Sequence, residues 1–229
     1  MKDYLPNWRL DLSADGEDRS VLTPRFITYL DRLVAGSEQP TIRELTFLSD
    51  LSAAERSELA VRWSHIPAER RRRIVSNLVQ LGEDNVEYDF ASLCLQAIGD
   101  SDAAVRKSAA EGLWESERSS ALNCLLDHVA TDESAAVRAA AANSLGHFVY
   151  LAETGKLRPY QRLRLHDTLL GVYNDANQPI EVRRRAVEAV AYLSDDAEIT
   201  AAIGDAYQEG EARMQASAVH AMGRNMDAR

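Results

Sequence analysis

The stretch DSDAAVRKSAAEGL, at residues 100–113, returns twice further along the chain with the same arrangement of side chains. The later copies are DESAAVRAAAANSLG at 132–146 and NQPIEVRRRAVEAVAYL at 177–193. Each copy begins with an acidic or amide residue, reaches a Val-Arg pair five residues later, and has an alanine four residues after the valine. A phrase that recurs at a nearly fixed interval predicts an array of structural repeats.

The spacing of the copies sets the size of the repeat. Val105 and Val137 are 32 residues apart, and so are Val182 and Met214, where a degenerate fourth copy aligns. The interval from Val137 to Val182 is 45 residues, which predicts one repeat plus an insertion at about 149–162. A weaker form of the period extends toward the N-terminus, through pairs that begin at Ile42 and Arg73.

Helical periodicity runs through the whole array. Apolar residues recur about every 3.6 positions, and the alternation typical of strands is absent. Helix starts are marked by Thr23 before a proline and by a capping box of Ser52 with Glu55. The sequence therefore predicts an all-α chain of about six helix pairs, with a single domain at 21–229 preceded by an N-terminal arm at 1–20.

The three phrases resemble the second-helix signature of HEAT repeats, in particular the short bacterial version also called HEAT-like or phycobilisome-lyase-like repeats. The resemblance covers roughly residues 40–224, with three clear and three degraded copies in one register. It implies a right-handed α-α superhelix, which is a HEAT-type solenoid with an armadillo-like fold. In that family the acidic residue lies in the turn between two helices, and the arginine lies near the start of the second helix.

The resemblance also implies a structural ladder that links successive repeats. An acidic side chain at a helix entry caps free backbone N–H groups, and a guanidinium reaches a carboxylate of the adjacent repeat. Gln215 replaces the arginine in the last copy and weakens the ladder there. Its expected members are the turn residues Asp100, Asp132 and Asn177 and the arginines Arg106, Arg138 and Arg183.

Composition disfavours several kinds of partner. The chain has 36 acidic and 26 basic residues, and its net charge of −10 disfavours general binding to nucleic acid or to an anionic membrane surface. No apolar run approaches the ~18 residues that span a bilayer, and the N-terminus lacks the apolar core of a secretory signal. We expect a cytoplasmic protein in which Cys94 and Cys124 are buried apolar residues.

Motifs that carry catalysis or bind cofactors are missing from the sequence. None of the five histidines lies in an HExxH helix or is followed by glutamate, so the metal site of the HEAT-type di-iron hydroxylase is not expected. His166 and Asp167 are adjacent, but neighbouring helical residues point about 100° apart, so we expect them on a solvated face. The sequence predicts no catalytic residue, no metal and no cofactor.

Two other functions are alternatives to a scaffold. Bilin attachment is suggested by the name of the phycobilisome-lyase-like repeats, although that pattern also occurs in many proteins that are not lyases. Nucleic-acid binding, as in DNA glycosylases of the HEAT fold, needs a basic channel with an aromatic side chain. This chain is acidic, and Trp8, Trp63 and Trp114 lie far apart in the sequence.

Basic clusters supply the candidate partner-binding residues. The run from residue 70 to 73 covers a full helical turn, so some of its side chains must face solvent. If the second helices stack in order, the ladder arginines and the run at 183–185 lie along one ridge, which we take as the binding edge. The candidate contact residues are Arg70, Arg71, Arg72, Arg73, Arg184 and Arg185.

Stacked helix pairs present an extended surface, which is suited to contact with another protein. We therefore expect a non-catalytic scaffold with a protein partner whose identity the sequence does not reveal. The final helix ends in MGRNMDAR without a polar capping repeat. That ending predicts either a fragment of a longer solenoid or an apolar end face that is covered by a partner or, through end-to-end self-association, by a second copy.

Overall fold

The computed structural model describes residues 22–36, 40–194 and 196–225. Within these ranges the chain forms twelve α-helices and one short 3₁₀ helix at Thr46–Leu48, with no β-strand, so the predicted all-α fold is confirmed. No helix in the same ranges is long and apolar enough to cross a membrane. The predicted arm at 1–20 lies outside the described residues. The helices are α1 (Pro24–Ala35), α2 (Ile42–Leu45), α3 (Ala53–Trp63), α4 (Ala68–Asp84), α5 (Ala91–Ala97), α6 (Ala103–Glu111), α7 (Ser119–Thr131), α8 (Ala135–Glu153), α9 (Pro159–Asn174), α10 (Ile180–Val190), α11 (Ala197–Gln208) and α12 (Ala212–Arg224).

The helices stack in two layers. The even-numbered helices, from α2 to α12, pack side by side in chain order. The odd-numbered helices from α1 to α9 form the second layer in the same way, and from α5 onward each packs on the even-numbered helix that follows it. Contacts therefore join neighbouring repeats, which is the arrangement of an α-solenoid.

Helix starts follow the local sequence. The Thr23 side chain accepts a hydrogen bond from the amide of Phe26 at the start of α1. Ser52 and Glu55 form the predicted capping box of α3, in which each side chain accepts from the backbone amide of the other residue. These caps satisfy amide groups that have no partner inside a helix.

Small residues on the even-numbered helices allow close stacking. Val105, Val137 and Val182 have no exposed surface, and the same is true of the alanines four residues after each valine. Helix α8 comes close to α10 at Gly146, where an added Cβ would lie 3.6 Å from the Cα of Ala189. The valine and alanine positions of the repeated phrase are therefore part of the core of the array. Burial of their apolar surface stabilises the fold by roughly 25 cal/mol per Å².

The N-terminal half departs from the predicted register. Arg71 of α4 lies at the position that Arg106 occupies in α6, and Ile74 is then fully buried in the core. The predicted match at Arg73 is therefore wrong. Ile42, which the period placed in the core, is 67% exposed on the four-residue helix α2. The repeat pattern thus begins clearly at α4.

The long interval between the second and third phrases falls at the junction of α8 and α9. Helix α8 runs for 19 residues, whereas α6 has nine. A short connection at 154–158 follows, in which Gly155 has a φ of 74°, in the region that favours glycine. Pro159 then occupies the first position of α9, where its missing N–H costs no helical hydrogen bond.

Candidate binding surface

Arg106 joins two repeats at the turn edge of the solenoid, where odd-numbered helices lead into even-numbered ones. Its Nε and Nη2 donate to the two carboxylate oxygens of Asp132, at 2.8 and 3.0 Å. Its Nη1 donates to the backbone carbonyls of Asp100 and Ser101 in its own repeat. The same Asp132 carboxylate accepts from the amide of Ser134. One guanidinium therefore fixes its own turn and holds the next turn in place.

The same kind of link occurs in two further repeats with different partners. Arg71 donates through Nη2 to Asp100 at 3.0 Å, and this carboxylate also accepts from the indole N–H of Trp63 at 2.7 Å. Arg183 binds Glu209 through both terminal nitrogens. The ladder therefore begins at Arg71, one repeat earlier than the sequence indicated.

Arg138 has a different partner from the one implied by the resemblance. Its Nε donates to the amide oxygen of Gln178 at 2.9 Å, and its Nη1 donates to the carbonyl of Asp132. Asn177 instead donates through its backbone and side-chain amides to Asp175, both at 3.0 Å. Asn177 is thus a turn residue without a contact to the ladder arginine, because the turn before α10 brings the next residue into reach.

The ladder aspartates remain ionised although they are buried. Burial alone would raise the pKa of the Asp100 and Asp132 carboxyls, but hydrogen bonds from arginine and from backbone amides outweigh it and lower both pKa values. Asp102, the cap of α6, has its pKa lowered to about 2, chiefly by the hydrogen bond from Arg72. Charge-assisted bonds of this kind favour the carboxylate form.

The basic run at 70–73 is engaged within the chain. Arg70 and Arg71 are buried, so they are removed from the candidate contact residues. Arg70 occupies a core position and donates to the backbone carbonyl of Leu33 at 2.8 Å. Arg72 and Arg73 keep about half of their side chains exposed, but each forms an ion pair with a carboxylate of the chain.

The second basic cluster is also neutralised internally. Arg184 and Arg185 both bind Glu188, which is buried and accepts from the hydroxyl of Ser217 as well. Arg184 forms a further pair with Glu181 at 2.6 Å. The ridge proposed as a binding edge therefore consists largely of cations that already have acidic partners.

A groove that the sequence reading missed lies at the other end of the even-numbered helices. It consists of two adjoining hollows that share Val79, Glu83 and Trp114, and we call it the Trp114 groove. The first hollow, of about 270 Å³, extends over the loops that follow α4 and α6 and includes Val86. The second, of about 500 Å³, covers the faces of α4, α6 and α8. Trp114 is 43% exposed and Val86 is 87% exposed.

Carboxylates dominate the charge of the Trp114 groove. Arg118 is the one cation among its lining residues, and it binds Asp89 at 2.6 Å. The side-chain carboxylates of Glu83 and Glu115 form no ion pair or hydrogen bond with any residue in the described ranges. A tryptophan inside the acidic run EGLWESE at 111–117 was the available sequence signal. The lining carboxylates are Glu83, Asp89, Glu111, Glu115 and Glu117.

Asp167 lies on a solvated face as predicted, with 64% of its side chain exposed, whereas the His166 side chain is only 17% exposed. Its Nδ1 is 2.9 Å from Asp167, and its Nε2 is 3.2 Å from Asp196, the cap of α11. The His166 and Asp167 side chains diverge at Cβ, but their ends meet. The angle of about 100° between helical neighbours therefore does not keep them apart. Among the described residues, no group of three or more His, Cys, Asp or Glu side chains is arranged to hold a metal ion.

The two cysteines differ in burial, and both are free thiols. Cys94 is buried, and its burial raises the pKa of the thiol to about 12. Cys124 is only partly buried, contrary to the expectation for both residues. A thiol with so high a pKa is nearly all protonated at neutral pH, so Cys94 behaves as a small apolar residue.

Comparison with known families agrees with this architecture. Residues 68–159, from α4 to the first residue of α9, match the model of a family described as HEAT repeats. This part contains the Trp114 groove and three of the ladder arginines. A comparison with curated proteins finds no match.

The solved structures include a similar fold. The chain resembles the crystal structure of an engineered protein, Northeast Structural Genomics Consortium target OR329, with a TM-score of 0.50 and 13% sequence identity. The match covers 88% of this chain and 96% of the engineered chain. At this identity the likeness concerns the fold alone.

Proposed function

We propose that this chain is a non-catalytic scaffold that binds a segment of another protein along its even-numbered helices. The Trp114 groove carries the proposal, because it is an open concavity with an exposed aromatic side chain and unpaired carboxylates. Stacked HEAT-like repeats offer a long surface of this kind, which suits an extended contact. Exposed aromatic residues in a depression are typical centres of protein contact.

The alternative functions receive less support from the same residues. Enzymes typically gather ionisable groups with shifted pKa values in an enclosed cavity. Here the Asp100 and Asp132 carboxyls, whose pKa values are lowered, lie in the ladder, away from the open groove. Cys94 does line the groove, but burial raises the pKa of its thiol to about 12, which keeps it protonated and unreactive at neutral pH. Nucleic acid would bring phosphates against the carboxylates that line the groove, which is unfavourable.

Site-specific photocrosslinking tests the proposal. A photoreactive p-benzoylphenylalanine replaces Gln80, an exposed residue of the groove, in the full chain produced in its native cells. The matched control carries the same group at Ser120, an exposed position on α7 outside the groove. We expect irradiation to join one protein to the Gln80 position and not to the Ser120 position. Recovery of nucleic acid, or of identical products from both positions, contradicts the proposal.

A further inference from the structure

We infer that the Trp114 groove takes a cationic segment, with an arginine or lysine side chain over the indole of Trp114. This inference rests on the proposed function, since the segment belongs to the protein partner. It adds the chemistry of recognition, namely a positive charge held between Glu83 and Glu115 beside an aromatic face.

Trp114 is more exposed than the other described tryptophan, Trp63, and carries no described cation of the chain over its ring. Trp63 is buried, and its indole N–H donates to Asp100, so it is a structural residue. Three other rings each carry one of the chain's own guanidiniums, at 4.8 to 5.3 Å from the ring centroid. No described cation lies over Trp114. Because tryptophan is the ring that attracts cations most strongly, this exposed indole suits a positive side chain from a partner.

The unpaired charge at the Trp114 groove is negative. Glu83 lines both hollows and Glu115 lines the first, and neither has a cationic partner among the described residues. Arg118 does not offset them, because it is already paired with Asp89. A concavity lined by one sign of charge attracts the opposite sign and speeds its encounter. The groove is therefore complementary to a cation and repels an acidic segment.

The lining of the groove also matches the two parts of an arginine or lysine side chain. Such a side chain has an apolar stem of three or four methylenes and a charged end. Val86 and Val79 provide apolar surface at the groove, and the carboxylates of Glu83 and Glu115 lie among the same lining residues. The groove thus combines apolar contact for the stem with acidic partners for the head, which a simple acidic surface does not.

Peptide binding to the full chain tests the inference. The probe is a fluorescent peptide of alternating arginine and serine, and its control replaces every arginine with citrulline, which has nearly the same shape but no charge. We expect the arginine peptide to bind at low salt and the citrulline peptide to bind at least tenfold more weakly. Trp114→Ala should weaken binding of the arginine peptide roughly 3- to 30-fold, as expected for loss of a cation–π contact.

Matched variants separate the groove from the general negative charge of the chain. Tyr207 has the same 43% exposure as Trp114, on α11, so Tyr207→Ala controls for loss of an exposed ring. Asp205→Asn controls for Glu115→Gln, since each removes one exposed carboxylate that has no ion-pair partner in the described ranges. We expect the groove variants to weaken binding and the controls to leave it within about twofold, the spread expected of substitutions at unrelated surface sites.

Equal effects of the groove and control variants overturn the inference, as does equal binding of the citrulline peptide. Such a result leaves the proposed function intact if the Gln80 photocrosslink still captures a protein partner. Conversely, loss of the crosslink with site-specific peptide binding retained contradicts the scaffold proposal and supports a site for a small cationic ligand. The two failures are therefore distinguishable.

Discussion

Removal of Arg106 should be far more damaging than removal of an exposed arginine with an equally short ion pair. The Arg106 and Asp132 side chains are only 9% and 4% exposed. Arg106→Met leaves the carboxylate buried with the Ser134 amide as its remaining close donor. Breaking a buried pair by deleting one partner costs about 3–5 kcal/mol. We expect a loss near 3 kcal/mol, because one hydrogen bond to the carboxylate survives.

A double-mutant cycle isolates the interaction itself. The variants are Arg106→Met, Asp132→Asn and the double variant, and asparagine keeps an acceptor for the Ser134 amide. Since the two groups are in direct contact, we expect a coupling energy of about 2 kcal/mol. The matched cycle uses Arg118 and Asp89, whose side chains are each 43% exposed and 2.6 Å apart. Exposed pairs typically contribute about 0.2–1 kcal/mol.

Urea unfolding at pH 7 supplies the free energies. Circular dichroism and tryptophan fluorescence should give coincident transitions, which justifies a two-state treatment. If the two cycles return the same coupling energy, burial of the ladder contributes nothing to its strength and our account of the stack is refuted. A destabilised Arg106→Met variant with no coupling would show that the arginine acts through packing of its stem alone.

Three further predictions concern packing and pH. Val187 has no exposed surface, whereas Val219, at the matching position of α12, is 55% exposed. In urea unfolding, Val187→Ala should lower the free energy of unfolding by about 2 kcal/mol and Val219→Ala by less than about 0.5 kcal/mol. Equal losses would contradict the stacking of the even-numbered helices. At Gly112 an added Cβ would lie 2.6 Å from the sulfur of Cys94, so Gly112→Ala should cost about 1–3 kcal/mol and lower the melting temperature, with partial recovery when Cys94→Ala makes room. The folded-state pKa of Asp100 is lowered, so the unfolded chain binds more protons in acid. The stability from Asp100 is therefore present above the ordinary aspartate pKa of about 3.9 and is lost as pH falls through the lowered folded-state pKa. Asp100→Asn should flatten that part of a stability-versus-pH curve, and an unchanged slope would show that Asp100 does not set it.

The repeated second helices could be predicted because burial imposes the same residues on each copy. Helices α6, α8 and α10 each pack between two other even-numbered helices, and each has a valine with no exposed surface near its start and a fully buried alanine four residues on. The spacing between them therefore shows in the sequence directly. The capping box at Ser52 was equally accessible, since both of its hydrogen bonds are local.

The register of α4 could not be read in the same way. Arg70 lies at a core position where the other repeats have valine, and it is buried because its head reaches the carbonyl of Leu33 in α1. A hydrophobic pattern counts arginine as a surface residue and so shifts the alignment. The partner of Arg138 could not be predicted either, because the turn before α10 brings Gln178, and not Asn177, within reach of the guanidinium.

The Trp114 groove depends on contacts between chain segments that are far apart in sequence. Val79 and Glu83 come from α4, whereas Trp114 follows α6, and the stack brings these helix ends together. The three tryptophans are far apart along the chain. In a solenoid, residues one repeat apart are spatial neighbours, so that separation carries no information about proximity.

The distribution of the arginines explains why the unpaired charge at the Trp114 groove is negative. Arg71, Arg106 and Arg183 bind carboxylates of the chain at the turn edge, and Arg184 and Arg185 share the buried Glu188. The first three pairs each cancel a positive and a negative charge, and Glu188 is matched by two arginines. The excess of ten acidic residues must therefore be carried by carboxylates outside these contacts. Glu83 and Glu115 are two of them, and they lie together at the groove. The arginines that stabilise the stack thus leave the Trp114 groove to negative charge.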